Sequence, residues 1–152
     1  MKPEELMLGD YVNFLIHIEG GNTDYDPKVA QYQPMKIVSL STWVSNDGEV
    51  ESAEGVINDI DQVKPIPLTA EILEKNFDSD KVDFEGRNID TRYTDHNEFR
   101  EITIHEYNDG LWEVEIDEVE FSSLPTWKMY VCDVHELQHA LRLYGINKKI
   151  EI

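Results

Sequence analysis

Cysteine is almost missing from this sequence, and several other familiar features are missing altogether. The single cysteine, Cys132, has no partner in the chain, so an internal disulfide is excluded. No apolar run approaches the roughly 20 residues that a transmembrane helix needs. The first residues carry no apolar signal-peptide core, and the chain has no G-x-G-x-x-G string, P-loop or nucleophile elbow. These absences predict a reduced, cytoplasmic protein without a membrane span and without a cofactor.

Basic residues are scarce as well. Lys and Arg number 13 against 32 Asp and Glu, which gives a formal net charge of −19 at pH 7. Such a charge repels nucleic-acid phosphates and anionic membranes, so direct binding to either is not expected. An acidic surface keeps a protein soluble, and it also attracts basic protein partners by electrostatic steering. Mimicry of nucleic-acid charge is a further alternative, although the acids are scattered along the chain rather than laid in paired tracks.

The chain contains enough apolar material for a packed core. Its 152 residues are 40% hydrophobic and include three Trp, seven Tyr and five Phe. A chain of this length buries roughly two-thirds of its unfolded surface without disulfides or metals. The order of the predicted elements is β, helix, β, helix, which indicates an α+β protein with two lobes. We expect an SH3-like small β barrel or bent sheet at 1–68, and a capped helix, an antiparallel β-meander and a C-terminal helix at 69–152.

Short strands with turns between them fill the first predicted lobe. Alternating residues predict a strand over 11–19, and β-branched and aromatic residues predict a second strand over 35–44. The segment 22–34 between them is rich in turn residues, and we expect an exposed loop there. After a tight Asp-Gly turn, a third strand is predicted over 50–57 and a short fourth one over 63–66.

Two helices frame a β-meander in the second predicted lobe. Thr69 is the expected N-cap of the first helix, which should end near Asn76 or Phe77. The polar segment 81–98 gives no clear pattern. The meander then follows as three strands, over 99–107, 112–119 and 127–131. The last helix is predicted from Val134 to Tyr144, with a glycine just after its end.

The meander also predicts which side chains share a face. One return strand places apolar residues on one face and acids on the other: Trp112, Val114 and Ile116 against Glu113, Glu115 and Asp117. Trp43 and Trp127, like Trp112, are expected to be core or partly exposed sheet residues, and Cys132 is expected to be a buried, inert thiol. Paired acids such as Asp59 and Asp61 arise by chance in so acidic a chain and indicate no catalytic site.

One string in the last helix resembles catalytic machinery. Residues 135–139 read H-E-x-x-H, in which two histidines a helical turn apart hold zinc and the glutamate acts as general base. A catalytic zinc needs a third protein ligand, and the glycine and histidine that continue the metzincin pattern are both missing here. His96 and His105 are possible upstream ligands, in an order that matches no zinc-protease family. His135 and His139 are therefore the zinc candidates of an alternative reading.

Two local patterns favour a structural role for this helix. Asp133 and Glu136 occupy the N-cap and N3 positions of a capping box, and a glutamate folded back onto the cap cannot also activate a zinc-bound water. The apolar side chains of the helix share one stripe: Val134, Leu137, Leu141 and Tyr144. His135 and His139 then fall at the margin of that stripe or toward solvent. No catalytic, cofactor-binding or metal-binding residue is predicted.

Three segments spread over the chain carry a resemblance to a known family. Residues 2–12 are similar to K-P-x-E-L-R-I-G-N-x-V, residues 65–73 to P-I-P-L-T-x-E-x-L, and residues 134–141 to V-H-x-L-Q-N-L. These strings are typical of a family of uncharacterised small proteins of Bacteroides-type bacteria and their phages and prophages. The resemblance implies no activity. It does imply that H-E-x-x-H is accidental, because that family varies at the position of Glu136 and commonly has asparagine at that of His139.

The family resemblance also implies that His135, Leu137 and Gln138 matter for docking the last helix on the sheet. From the residues and this resemblance we expect a non-enzymatic binding or accessory protein of a bacterial or phage context, with a basic protein as its partner. The alternatives are a zinc-dependent hydrolase built on His135 and His139, and an acidic mimic of nucleic acid. The oligomeric state is left open.

Overall fold

The structure is a computed structural model that describes residues 6–18, 30–42, 48–83, 89–96, 100–108, 110–118 and 126–152. It is an α+β fold with two antiparallel sheets, one of them curled into a half-barrel, and two helices, which confirms the predicted class. The chain divides into two compact units, Met1–Ile66 and Pro67–Ile152. Within the described ranges, no helix combines the length and the apolar character needed to cross a membrane.

The first unit is a four-stranded sheet whose strands pair in chain order. They are β1 (Tyr11–Ile18), β2 (Ala30–Thr42), β3 (Gly48–Ser52) and β4 (Ile57–Asp59), followed by a 3-10 turn at Ile60–Gln62. One cluster of buried apolar side chains forms the core of this unit: Leu6, Val12, Phe14, Met35, Ile37, Val50, Ile60 and Val63.

A bulge interrupts each of the first two strands. The pairing register shifts at Ile16 in β1 and at Val38 in β2, and these side chains are 43% and 46% exposed. A bulge inserts one unpaired residue and so reverses which side chains face the core. Leu15 is buried next to Phe14 as a result, and the alternation predicted over 11–19 holds only as far as Phe14.

The predicted loop and second strand need a correction. Ala30–Thr42 is all strand, because the turn-rich residues 30–34 pair with β1 in a regular antiparallel register. The rest of that loop, 22–29, lies outside the described residues, as do 43–47 with Trp43.

The predicted third and fourth strands were wrong in detail. The segment 50–57 is two strands, because Ser52 Oγ accepts hydrogen bonds from the backbone N–H of Glu54 and Val56 at 3.2 and 3.1 Å and closes a turn there. The segment 63–66 is not a strand of the sheet. It follows the 3-10 turn and makes a single bridge, between Asn13 and Lys64.

The second unit is a five-stranded antiparallel sheet with two helices. Its elements are α1 (Ala70–Asn76), β5 (Asp78–Asp83), β6 (Ile89–His96), β7 (Arg100–Asn108), β8 (Leu111–Glu118), β9 (Trp127–Val131) and α2 (Val134–Leu143), and the strands pair in chain order. The meander β7–β8–β9 and both helices confirm the predictions. Strands β5 and β6 lie largely in the segment where no pattern was seen.

One face of this sheet, which we call the inner face, supplies most of the core of the second unit. Its buried side chains are Tyr93, Ile102, Ile104, Trp112, Val114, Ile116 and Val131. The segment before α1, the helices and the last residues add further buried apolar groups: Leu68, Ile72, Leu73, Phe77, Val134, Leu137, Ala140, Leu141, Ile146 and Ile150. The Trp112 Nε1–H donates to Leu68 O at 3.0 Å, so the largest inner-face side chain is also satisfied as a donor.

Side-chain hydrogen bonds hold both ends of α1. Thr69 Oγ1 accepts from the Ile72 backbone N–H at 3.4 Å, as its N-cap position predicts. At the other end, the Asn76 amide donates to Glu151 O and accepts from the Glu151 N–H, both at 2.8 Å. This pair of bonds ties the last residues of the chain to the end of α1.

Candidate functional site

The start of α2 confirms the predicted capping box. Asp133 is the N-cap and Glu136 is the N3 residue. Glu136 Oε2 accepts hydrogen bonds from the backbone N–H of Cys132 at 2.6 Å and of Asp133 at 3.3 Å. These donors have no partner within the helix, so the carboxylate stabilises the helix start. The same oxygen is therefore not positioned to take a proton from a metal-bound water.

The prediction placed His135 and His139 at the margin of the apolar stripe or toward solvent, and its solvent part needs a correction. His135 is 5% exposed and therefore does not face solvent, and His139 is half-buried. The first turn of α2 lies beside the segment before α1, because the Leu68 N–H donates to Cys132 O at 2.8 Å and Pro67 forms a bridge with Asp133. The helix therefore packs over a wider arc than its apolar stripe alone indicates.

The two histidines of H-E-x-x-H contact one another. Their ring centroids are 5.8 Å apart and their planes are nearly perpendicular, at 88°. Within the described part of the chain, the buried His135 Nδ1 has no hydrogen-bond partner. Among those residues, the group of potential ligand side chains that includes His135 consists of Asp133, His135 and Glu136, and it does not contain His139. Burial raises the pKa of Asp133, an effect that the His135 ring partly opposes.

The upstream histidines considered as third ligands lie elsewhere in the second unit. His96 is exposed at the end of β6, and His105 lies in β7 beside Glu113 and Glu115 of β8. In the ranges that the structure describes, H-E-x-x-H is thus not completed into a set of three ligands that includes both of its histidines.

Cys132 was also predicted wrongly, because its side chain is exposed. Its backbone is held on both sides, by Glu136 at the N–H and by Leu68 at the carbonyl, which leaves the side chain outside the core. Desolvation and the carboxylates of Glu136 and Asp133 raise the pKa of the thiol. The thiol is therefore accessible but not activated.

The second candidate site is the side of the five-stranded sheet opposite the core, which we call the outer face. Strand pairing places thirteen described side chains on it, and the ring contact with Tyr130 adds Tyr107. The set is Asp78, Asp80, Arg92, Thr94, His96, Glu101, Thr103, His105, Tyr107, Glu113, Glu115, Asp117, Lys128 and Tyr130. Six of them are carboxylates and two are Lys or Arg, so the formal charge of this set is −4 with neutral histidines.

Glu113 lies at the centre of the outer face and is nearly buried, at 7% exposure. Its Oε1 is 3.3 Å from His105 Nε2 and 3.1 Å from Lys128 Nζ. The hydrogen bond from the Tyr130 hydroxyl, followed by the contact with Lys128, lowers the pKa of Glu113 from 4.5 to about 2, against the opposing effect of burial. Lys128 also contacts the Glu115 carboxylate, and the two acids raise the pKa of the ammonium. One ammonium is therefore shared by two carboxylates.

Other side chains of the outer face are also held in place. Arg92 Nη2 donates to Thr103 Oγ1 at 3.0 Å, and Thr103 is 3% exposed although it points away from the core. Thr126 Oγ1 donates to Asp117 Oδ1 at 2.5 Å. Bonds of this kind restrict side-chain rotamers, so the outer face presents charges in fixed positions.

A pair of tyrosines lies at one end of the outer face. The rings of Tyr107 and Tyr130 are 5.0 Å apart between centroids and tilted by 60°. They are 55% and 52% exposed. The hydrogen bond with Glu113, together with desolvation, raises the pKa of Tyr130, so its hydroxyl stays protonated and keeps the ring oriented. The pair is an aromatic surface in an acidic setting.

The sequence predicted part of this arrangement. The alternation along β8 placed Glu113, Glu115 and Asp117 on the face opposite the core residues, and the structure confirms it. The sequence did not indicate that His105, Lys128 and Tyr130 meet at Glu113. The signal that could have shown it is the pairing register of β7, β8 and β9, which brings His105, Glu113 and Tyr130 into one row across the three strands.

The chemistry of the outer face suits binding better than proton transfer. A carboxyl group with a pKa of about 2 is a weak base, and its neighbours already donate to it. A face with surplus negative charge and exposed aromatic rings can bind cationic groups instead. In comparisons with known proteins, no family model, no curated protein and no solved structure matches the chain.

Proposed function

We propose that this protein is a non-enzymatic binding protein that receives a basic segment of another protein on the outer face of its five-stranded sheet. The observation that carries the proposal is the fixed network of charges around Glu113, with carboxylates in excess and two exposed tyrosines beside it. Opposite charges across an interface steer association and set its specificity.

The ordering of the outer face supports this function further. Side chains that must be immobilised on binding lose conformational entropy, and this loss weakens the complex. Here the Glu113 carboxylate already accepts hydrogen bonds from Lys128 and Tyr130, and Thr103 already accepts one from Arg92. A partner would therefore meet a surface that is organised before it arrives. The net charge of −19 adds a long-range attraction for basic proteins.

The zinc-hydrolase alternative conflicts with the contacts of Glu136. Its Oε2 accepts from two backbone N–H groups at the start of α2, which is the role of a cap and not of a general base. We expect untagged protein, purified without added zinc, to contain no stoichiometric zinc by elemental analysis. Stoichiometric zinc that disappears in the His139→Ala variant would support the hydrolase instead.

The nucleic-acid-mimic alternative is also less well supported than the binding of a basic segment. On the outer face Arg92 and Lys128 lie among the acids and neutralise part of them. A mimic of a phosphate backbone is expected to present rows of uncompensated charge.

Two further expectations from the sequence belong to this proposal. We propose that the four-stranded unit is SH3-like, which the bulges at Ile16 and Val38 support because bulges bend and twist a small sheet. The resemblance of the three sequence segments to small proteins of Bacteroides-type bacteria and their phages supports an accessory role in such a setting.

Matched charge reversals test the proposed function. An octa-lysine peptide carrying a fluorophore is titrated by anisotropy against two double variants. Asp80→Lys with Glu101→Lys changes the outer face, and Glu49→Lys with Glu54→Lys changes exposed positions of the first unit by the same net charge. We expect the outer-face variant to weaken binding about tenfold and the control about twofold, because near charges act more strongly than distant, screened ones. Equal losses in the two variants would show that only net charge matters and would contradict the proposal.

A further inference from the structure

The Tyr107–Tyr130 pair is not explained by the core or by the charge network alone. Both rings are more than half exposed, at 55% and 52%, although Tyr93 and Trp112 on the other face of the same sheet are buried. Tyr130 is oriented by its hydrogen bond with Glu113. The Tyr107 ring packs against the Tyr130 ring, with 5.0 Å between the ring centroids. The pair therefore offers ring surface of defined orientation, directly beside a buried negative charge.

Cations are attracted to the faces of aromatic rings, and a nearby carboxylate increases that attraction. The same chain uses this contact elsewhere. Lys64 Nζ lies 4.1 Å from the centroid of the Tyr32 ring, and Lys148 Nζ lies 4.7 Å from that of Phe77. The Tyr107 and Tyr130 rings contact each other instead, which leaves ring surface open to a cation from outside.

The position for a compact ammonium is already filled on this face. Lys128 lies between Glu113 and Glu115, so the chain supplies its own point charge there. Two carboxylates against one ammonium leave a surplus negative charge next to the rings. What is left open is the exposed part of each ring, and a planar guanidinium stacks on a ring face better than a strongly hydrated ammonium does.

We propose that the Tyr107–Tyr130 pair is the anchoring point for an arginine side chain of the basic partner, stacked on an exposed ring face of the pair and attracted by the Glu113–Glu115 charge. This inference rests on the proposed function, because it names the residue type that the outer face selects. The inference predicts that the partner segment contains arginine, whereas the proposed function alone requires only that the segment is basic.

The test compares two cations on four proteins. Octa-arginine and octa-lysine peptides are titrated by fluorescence anisotropy against the wild type and the Tyr107→Leu, Tyr107→Phe and Trp127→Leu variants. Trp127→Leu is the matched control, because Trp127 is an exposed aromatic residue of β9, at 57%, and packs toward Tyr144 instead. Thermal unfolding of each variant confirms that it is folded at the temperature of the titration.

We expect wild type to bind octa-arginine more tightly than octa-lysine. The dissociation constant for octa-lysine divided by that for octa-arginine should fall about threefold in Tyr107→Leu. Tyr107→Phe keeps the ring and should keep the ratio, and Trp127→Leu should keep it as well. An unchanged ratio in Tyr107→Leu, or an equal fall in Trp127→Leu, overturns the arginine site.

The two proposals fail separately. If both peptides bind equally well and the outer-face charge reversals still weaken both, the arginine inference is overturned while the proposed function stands. If the outer-face reversals act no more strongly than those in the first unit, the proposed function is overturned together with the inference that rests on it.

Discussion

The two faces of the five-stranded sheet are formed by the same strands, yet they bury different kinds of side chain. On the inner face, Ile104 and Val114 pair across β7 and β8 and are fully buried. One residue along, Thr103 and Glu113 point to the outer face and are nearly as buried, at 3% and 7%. The inner face excludes water with apolar groups, whereas at Thr103 and Glu113 the outer face excludes it with polar groups that hydrogen-bond to one another.

This difference shows that burial alone does not identify the core of a small sheet. The outer-face groups are covered by their own neighbours, Arg92 over Thr103 and Tyr130 with Lys128 around Glu113. Such coverage contributes less to stability per residue than apolar packing, because the hydrogen bonds replace bonds to water. It does fix the positions of charges, which is what recognition of a charged partner requires.

The largest effect is expected on the inner face. Ile104→Ala removes a fully buried side chain and leaves a cavity, so the free energy of unfolding should fall by about 2–5 kcal/mol. Urea denaturation followed by tryptophan fluorescence measures the change. A loss below about 1 kcal/mol would mean that the inner face is not tightly packed, and the comparison between the two faces would break down.

A smaller and pH-dependent effect is expected at Glu113. Glu113→Gln removes the charge that Tyr130, Lys128 and His105 surround, and the free energy of unfolding at pH 6 should fall by about 1–3 kcal/mol. The folded-state pKa of about 2 lies below the ordinary 4.5, so the ionised group stabilises the fold fully above pH 4.5. That stability is lost as the pH falls toward 2.

The pH dependence supplies the control for this variant. Urea denaturation of wild type and Glu113→Gln is compared at pH 5 and pH 3, both below the range in which histidines ordinarily titrate. The difference between the two proteins should be smaller at pH 3. A difference that stays constant, or grows, would show that the carboxylate is not held in its ionised form by Tyr130 and Lys128.

The smallest effect is expected at Thr103. Thr103→Val keeps the shape of the side chain and removes the hydroxyl that accepts from Arg92 Nη2. We expect a loss of about 1 kcal/mol in the free energy of unfolding, well below that of the neighbouring Ile104→Ala. If Thr103→Val costs as much as Ile104→Ala, the outer face carries as much of the stability as the inner face does, and its polar groups are not mainly for recognition.

Local signals made part of this fold predictable. Thr69 and the Asp133–Glu136 pair cap their helices as the sequence indicates, because a cap involves residues only a few positions apart. The β8 alternation placed Glu113 correctly for the same reason. Strands β5 and β6 were not predicted because their residues are mostly polar. The pairing of β6 with β7 and of β5 with β6, not their own sequence pattern, fixes them as strands.

Long-range pairing explains the features that the sequence could not show. The bulges at Ile16 and Val38 depend on how two strands align, and no local pattern marks them. The burial of His135 depends on the bonds between the segment before α1 and the start of α2. The meeting of His105, Lys128 and Tyr130 at Glu113 likewise requires the register of three strands.

The most direct test of the binding surface is a residue-by-residue map of where a basic peptide binds. Amide signals of the isotope-labelled protein are followed by nuclear magnetic resonance during titration with octa-arginine. We expect the largest shifts at 101–107, 113–117 and 128–130, with little change in β1 to β4. Shifts spread evenly over both units, or concentrated at the start of α2, would contradict the account.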